Sequence, residues 1–283
     1  MTGTRHGPWR IARAKAGASI RANCTVTMND IRPNLHRVSR ASASCALPMD
    51  AADSAVACTR CALVHACGVA GNGSIAFADV HRLVEDSGPW RANQFVFRAG
   101  EPFKNLYALK SGMLKTVSSD RDGRAQVQGF FLPGEVIGLD AVDPGVYPVD
   151  GIALETTRLC RLPFDAISHV AQRAPEVQQQ LFRLFSRAIG QHEGRSWDTG
   201  ADQRLAAFLL DLSERYAQRG LDPLRFHLAM PRNDIANFLH LAAETVSRVL
   251  TRFREQDLLD IAGRDVHLHQ PARLRELLCE HPD

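Results

Sequence analysis

Three cysteines crowd into the run A-C-T-R-C-A-L-V-H-A-C-G-V: Cys58, Cys61 and Cys67. A fourth, Cys160, lies 93 residues beyond Cys67. Thiolates are soft ligands suited to Zn²⁺, Cu⁺ and iron–sulfur clusters. The two-residue gap between Cys58 and Cys61 lets two sulfurs converge on one centre, and Cys67 can close a third position after a short loop. Gly68 and Gly71 give the backbone freedom to wrap. Cys160 could complete four ligands from the end of a strand. Four thiolates alone do not separate structural zinc from a [4Fe–4S] cluster, because both use Cys₄. Ala57, Ala62, Leu63, Val64, Ala66, Val69 and Ala70 make a small apolar shell of the kind that shields a cluster, or that packs a core. His65 is a further candidate zinc ligand, although an exposed loop histidine is the plainer reading.

A second chemistry sits near the C-terminus. From Pro231 the chain reads P-R-N-D-I-A-N-F-L-H-L-A-A-E-T-V-S-R-V-L-T-R-F-R-E. Ile235, Ala236, Leu239, Leu241, Val246, Val249 and Leu250 have the spacing to bury between two short helices. Asn233 or Arg232 would precede the first helix, His240 would sit in the turn, and Ala242-Ala243 would open the second. Glu244, Ser247 and Arg248 then fall at i, i+3 and i+4 on one exposed face. Arg248 carries the fork that matches guanine O6 and N7, Glu244 can accept from a cytosine amino group, and Ser247 can make a small base or phosphate contact. Arg232, Arg252 and Arg254 are candidates for phosphate. The spacing predicts a helix-turn-helix that reads double-stranded DNA.

These groups must be held by a scaffold. Between 75 and 170, short strand signals (Q-F-V-F, L-Y-A-L, L-K-T-V, Q-V-Q-G-F-F-L, T-R-L-C-R-L) alternate with Ser111-Gly112, Asp122-Gly123, Pro133-Gly134 and Pro144-Gly145. That pattern predicts an antiparallel roll or barrel. After Pro175 a helical run puts Leu181, Leu184, Phe185, Ala188, Ile189 and His192 on one face, suited to its own domain or to a partner helix. Its continuity behind the roll favours a partner, so 173–200 reads as a dimerisation helix and hinge, faltering from Gly194 to Gly200. Another helix starts at Asp202 and ends at Gly220 and Pro223. Strand signals follow the helix-turn-helix near Leu258 and Asp265, the order of a winged helix-turn-helix over 201–283. The predicted fold is thus α+β: a β-roll sensor with the cluster-binding segment over 51–172, a long helix, and a winged helix-turn-helix.

Composition limits the setting. The 283 residues suffice for two modest domains, and a hydrophobic content of 45% is ordinary for a folded chain. No apolar run reaches the ~18 residues of a membrane span. The net charge of +3 permits nucleic-acid binding without arguing for it. Residues 1–50 carry eight Arg or Lys against two Asp and read as a disordered basic tail, in which Met28 and Met49 offer alternative starts. The seven cysteines are odd in number; Cys24 and Cys45 fall in that tail with no assigned role. Bunched thiols without a signal-peptide core predict a reducing, cytoplasmic setting.

Taken together, these residues resemble the oxygen-responsive fumarate and nitrate reduction regulator, within the cyclic-AMP receptor protein superfamily. The likeness runs from about Ala57 to Leu278. It is carried by Cys58-x2-Cys61-x5-Cys67, by Cys160 followed by R-L-P-F, by D-Q-R-L-A-A-F-L from Asp202, by R-Y-A-Q-R-G from Arg215 and by E-T-V-S-R from Glu244. The resemblance implies a roll of cyclic-nucleotide-binding type and one [4Fe–4S] cluster per subunit on Cys58, Cys61, Cys67 and Cys160. It also implies a homodimer that forms at low oxygen and is weakened when oxygen converts or destroys the cluster. Such a dimer would bind a palindrome with TTGAT-like half-sites through Glu244, Ser247 and Arg248. RNA polymerase would touch the loop Asp120–Gly123 and surfaces near the dimer interface and second domain.

G-E-V-I-G-L from Gly134 resembles the family's nucleotide pocket, yet V-D-G-I-A-L-E from Val149 lacks the arginine that would pair a cyclic phosphate. No cyclic-AMP response is expected. Other departures bear on the strength of the switch. Ala62 and Ala66 are smaller than the Ser and Leu often found in relatives. His192 stands where relatives often carry an acid on the dimer helix. The segment around Gly194–Gly200 is about three residues shorter. Two alternatives stay open: a zinc or thiol-redox regulator on the same scaffold, and a metal-binding reductase. The latter lacks a glycine-rich cofactor loop.

Overall fold

The structure is a computed structural model and describes residues 83–120, 122–193 and 199–279, without the side chains of 191–193. Eight strands come first: β1 (Glu85–Trp90), β2 (Phe95–Phe97), β3 (Asn105–Ser111), β4 (Leu114–Ser119), β5 (Ala125–Phe131), β6 (Val136–Ile137), β7 (Asp150–Ala153) and β8 (Thr157–Pro163). They form two antiparallel sheets, ordered β1-β8-β3-β6 and β2-β7-β4-β5. Alternation along β3 and β8 separates two layers. Tyr107, Leu109 and Leu159 point into the roll with Phe97, Ile137 and Tyr147. Leu106, Ala108, Cys160 and Leu162 point outward, beneath the helices that follow. Inside the roll, Phe97 stacks on Tyr147 at 4.3 Å and on Tyr107 at 5.7 Å, and the Tyr147 hydroxyl donates to the Asn105 carbonyl.

Helix α1 (Phe164–Arg173) leaves β8 directly, and α2 (Pro175–Glu193) follows after Ala174. The expected single stripe on α2 is split. Leu181 and Leu184, with Val177, are buried against the outward face of the β1-β8-β3-β6 sheet. Phe182 and Ile189 are 62% and 61% exposed, and Phe185 lies half-buried at the edge. Leu181 and Leu184 therefore serve their own roll rather than a partner helix. Helix α1 was not anticipated from the sequence; it supplies Ile167 and Ala171 to the same layer.

Helix α3 (Ala201–Gln218) opens the second half, followed by β9 (Arg225–His227), α4 (Arg232–Phe238), α5 (Ala243–Glu255), β10 (Leu259–Ala262), β11 (Asp265–Leu268) and α6 (Pro271–Cys279). The three strands pair as β10-β11-β9 and form the wing. Both expected strands appear, and β9 completes the sheet. The first helix of the pair begins at Arg232 with Pro231 at its cap, so neither Arg232 nor Asn233 precedes it. Proline is at home there, because helix starts leave amide hydrogens unpaired and proline has none to leave.

The hydrophobic core of this half does not stop at the domain. Phe130 of β5 packs on Phe208 of α3 and Phe238 of α4 at ring distances of 6.0 and 5.1 Å. Met113, Val127 and Leu132 join the same buried cluster as Leu209, Val249 and Phe253.

The chain passes from β3 in one sheet to β4 in the other through Gly112, at φ +81°, where a Cβ would stand 2.5 Å from the Thr156 carbonyl oxygen. Gly123 has a similar φ of +78° with nothing within 4 Å of the same position. Gly112→Ala is expected to cost about 1–3 kcal/mol of stability and Gly123→Ala clearly less. Chemical denaturation of the two variants measures the difference; equal losses would assign the whole effect to φ and none to the close approach.

Candidate nucleic-acid interface and cluster ligand

Helix α5 buries Val246, Val249, Leu250 and Phe253 against α3, α4 and the wing, leaving the opposite face in solvent. Glu244, Ser247 and Arg248 are all exposed on that face. The Ser247 hydroxyl donates to the Ala243 carbonyl at 3.0 Å, so its oxygen remains able to accept. A shallow hollow of about 480 Å³ runs beside them, lined by Thr245, Thr251, Arg252 and Glu255 among others. The three flanking arginines differ. Arg254 is exposed. Arg252 pairs with Asp202 of α3 at 2.6 Å. Arg232 is partly buried, which pushes its guanidinium below the ordinary arginine value, and it donates to the Gly263 carbonyl in the wing turn at 3.3 Å.

The turn between α4 and α5 is set by backbone bonds. Leu241 N–H donates to Ala236 O and His240 N–H to Asn237 O, a Schellman closure that puts His240 in the left-handed region at φ +53°. Arg204 of α3 braces this turn. Its Nε donates to Thr199 O at 2.8 Å, and its Nη1 to Leu239 O at 3.2 Å and His240 O at 3.4 Å. Sequence reading missed Arg204, since nothing local marks an arginine two of whose three acceptors lie 35 and 36 residues away.

Cys160 lies mid-strand on β8, half-buried among the apolar side chains under α1 and α2. It pairs with Asp86 on β1 and with Ala108 on β3. Burial alone would raise the Asp86 carboxyl, but hydrogen bonds and charge from Arg158 and Lys110 outweigh it and hold the group below its usual value. Cys58, Cys61, Cys67 and His65 lie outside the described residues, as do Cys24, Cys45 and the side chain of His192. Among the described residues, no group of three or more His, Cys, Asp or Glu could hold a metal ion. The strand β1 that follows the cysteine run is nonetheless the direct neighbour of Cys160. The 17 residues between Cys67 and Glu85 can reach ~60 Å fully extended, so the tether allows the four sulfurs to meet. A thiol in an apolar layer fits a thiolate-ligated centre, whose potential such a shell tunes.

The loop at Asp120–Gly123 is a tight turn in which the Asp120 carboxylate accepts from the amides of Asp122 and Arg124. No helix among the described residues is long and apolar enough to cross a membrane.

Replacing His240 by glycine relieves a left-handed side-chain conformation. His240→Gly is expected to raise stability by about 1 kcal/mol, read as a higher denaturation midpoint; a lower midpoint would show that the imidazole contributes more than the strain costs.

Comparison with known proteins bears on both sites. Residues 203–277 match the family described as Crp-like helix-turn-helix domain, and residues 89–174 match the cyclic nucleotide-binding domain. The chain is 42% identical to the transcriptional activator protein anr of Pseudomonas aeruginosa, over 66% of this chain and 78% of that one. It is 34% identical to the fumarate and nitrate reduction regulatory protein of Escherichia coli K12, over 79% and 90%. The solved structure of FixK2 from Bradyrhizobium japonicum superposes with a TM-score of 0.61 at 25% identity, covering 70% of this chain and 98% of FixK2. The chain therefore belongs to the Crp/Fnr family of transcription regulators, and is a DNA-binding regulator rather than an enzyme.

Proposed function

We propose that this regulator senses oxygen through one [4Fe–4S] cluster per subunit and, with that cluster intact, binds a palindrome of TTGAT-like half-sites as a cytoplasmic homodimer. The observation that carries the reading is the position of Cys160. It lies in the layer that seats α2, in a chain closely similar to the anr activator and to the fumarate and nitrate reduction regulator. Cys58, Cys61, Cys67 and Cys160 would hold the cluster, which supplies when bound an inorganic centre sensitive to oxygen.

The chain's own residues do the rest. Val177, Leu181 and Leu184 anchor α2 to the sheet that bears Cys160. Phe182, Phe185 and Ile189, spaced by three and four, face away or lie at the edge of that contact. Two large apolar side chains exposed by more than half on one helix call for cover, and a second copy of α2 supplies it. Pairing would set two recognition helices about one DNA turn apart and link two weak half-site contacts into one strong one. A switch from mostly off to mostly on needs about 5 kcal/mol between states. Ligation that orders the segment around Cys58–Cys67 against β8 is of the right kind to supply it.

At the operator, Arg248, Glu244 and Ser247 would read bases and Arg254 a phosphate. Arg232 and Arg252 would join them at phosphates only by exchanging the Gly263 carbonyl and the Asp202 carboxylate. The turn at Asp120–Gly123 would meet RNA polymerase. A cyclic nucleotide has no part in this reading: the segment 149–155 offers no arginine to pair a cyclic phosphate, and the acid of the pocket element, Glu135, is engaged by Arg215 and Arg219.

Three outcomes are expected. Anaerobically isolated Cys160→Ser should lose most of its iron and sulfide and its operator binding. A full cluster in that variant, with operator binding still lost in air, overturns the ligand set, and one zinc per wild-type chain with air-indifferent binding overturns the sensor. Arg248→Ala should cost about 1–3 kcal/mol of operator affinity and relax selection at one base pair per half-site. Arg254→Ala should instead weaken all sequences alike and reduce the salt slope by about one. Titrations at several salt concentrations separate the two behaviours.

A further inference from the structure

Glu135 sits in the turn from β5 to β6 and is 8% exposed. Its carboxylate accepts four hydrogen bonds: Oε1 from Arg215 Nε at 2.9 Å and Arg219 Nη2 at 2.6 Å, and Oε2 from Arg215 Nη2 at 2.7 Å and Leu132 N at 2.8 Å. That fills the acceptor sites of an ionised carboxylate. Arg215 and Arg219 stand one turn apart on and just beyond α3, the helix on which the DNA-binding half is built. Burial alone would lower the Arg215 value, but Glu135 and then Asp211 outweigh it and keep the group firmly cationic.

The same junction is closed twice more. Asn237 of α4 reaches the outer edge of β5, accepting from Val127 N at 2.6 Å and donating to Ala125 O at 2.9 Å. Lys115 of β4 pairs with Asp234 at 2.6 Å. On its other side, Glu135 is tied to the sheet of Cys160. Its carbonyl accepts from Leu109 N, and the next residue, Val136, pairs with Ala108, which pairs with Cys160. Cys160, Ala108 and Val136 thus form one row across three strands, ~10 Å from end to end.

We infer that Glu135 is a positioning residue: through Arg215 and Arg219 it registers the DNA-binding half on its own roll, and so carries the state of the Cys160 row to the recognition helix within one chain. This deepens the proposed function and rests on Cys160 being a cluster ligand. It adds an intrachain route to pairing through α2. The recognition face is open to solvent while the latch is closed, and we take this closed arrangement as the one that binds DNA.

The test uses the full-length protein purified without oxygen, with Glu135→Gln, Arg219→Met and the double variant. Iron and sulfide content, operator affinity over a salt series, and hydrogen exchange of peptides covering 125–131 and 205–212 are measured on each. Expected are wild-type iron and sulfide, operator affinity down at least about tenfold at an unchanged salt slope, and exchange protection lost over 125–131 but kept over 205–212. The double variant should lose less than the sum of the singles. Unchanged or tighter operator binding, protection lost equally in both peptides, or strict additivity overturns the latch. Should Glu135→Gln not fold, Arg219→Met decides by the same readouts. Wild-type protein devoid of iron sinks the oxygen reading by itself and leaves the latch to be judged on affinity and exchange.

Discussion

Burying one carboxylate between two guanidinium groups is costly, and the arrangement at Glu135 persists because every acceptor site on that carboxylate is used. Desolvation of such a group offsets much of its Coulombic attraction, so the pair itself is weak evidence for stability. Adhesion between the two halves comes from elsewhere, from the Phe130–Phe208–Phe238 cluster and the aliphatic side chains around it. Apolar contact is tolerant of small rotations. The bidentate fork of Arg215 is not, and it converts a sticky junction into one with a fixed angle.

Helix α2 has a related division of labour. One side is given to the sheet that carries Cys160, through Val177, Leu181 and Leu184, while Phe182 and Ile189 point into solvent. Any movement of the Cys160 layer reaches the outward residues through a rigid helix only a turn or two long at the contact. The placement of a candidate sensor thiol and of an uncovered apolar edge on opposite sides of the same element is what ties sensing to association in the proposed function.

Much of this was legible in the sequence, and the failures have physical reasons. L-Y-A-L, L-K-T-V and Q-V-Q-G-F-F-L alternate because one face of each strand is buried, and periodicity finds them. E-D-S-G-P-W does not alternate and contains a Gly-Pro step, so β1 is invisible until β8 gives it a partner. The stripe on α2 reads as one face in the sequence because 3,4 spacing cannot tell which of two neighbours covers it. Phe182, one position from Leu181, turned out to be on the other side of that boundary. The helix-turn-helix was found by its spacing, but Arg204, Asn237 and Glu135 were not. Their partners lie 35, 110 and 80 residues away, beyond any local pattern. The cysteine run was legible as chemistry, while the described residues hold one of its four proposed ligands.

The side-chain amide of Asn237 acts on β5 as a neighbouring strand would, meeting an amide and a carbonyl that the sheet leaves outward. Unpaired strand borders invite other chains to add themselves. The DNA-binding half is therefore also a chaperone of the roll: severed from it, β5 would offer Val127 and Ala125 to any passing strand, beside the bared side chains of Met113, Phe130 and Leu132. Sensor and reader of this architecture cannot be shuffled as independent cassettes. A chimera that keeps the roll must keep α4 as well, or inherit a sensor prone to aggregate.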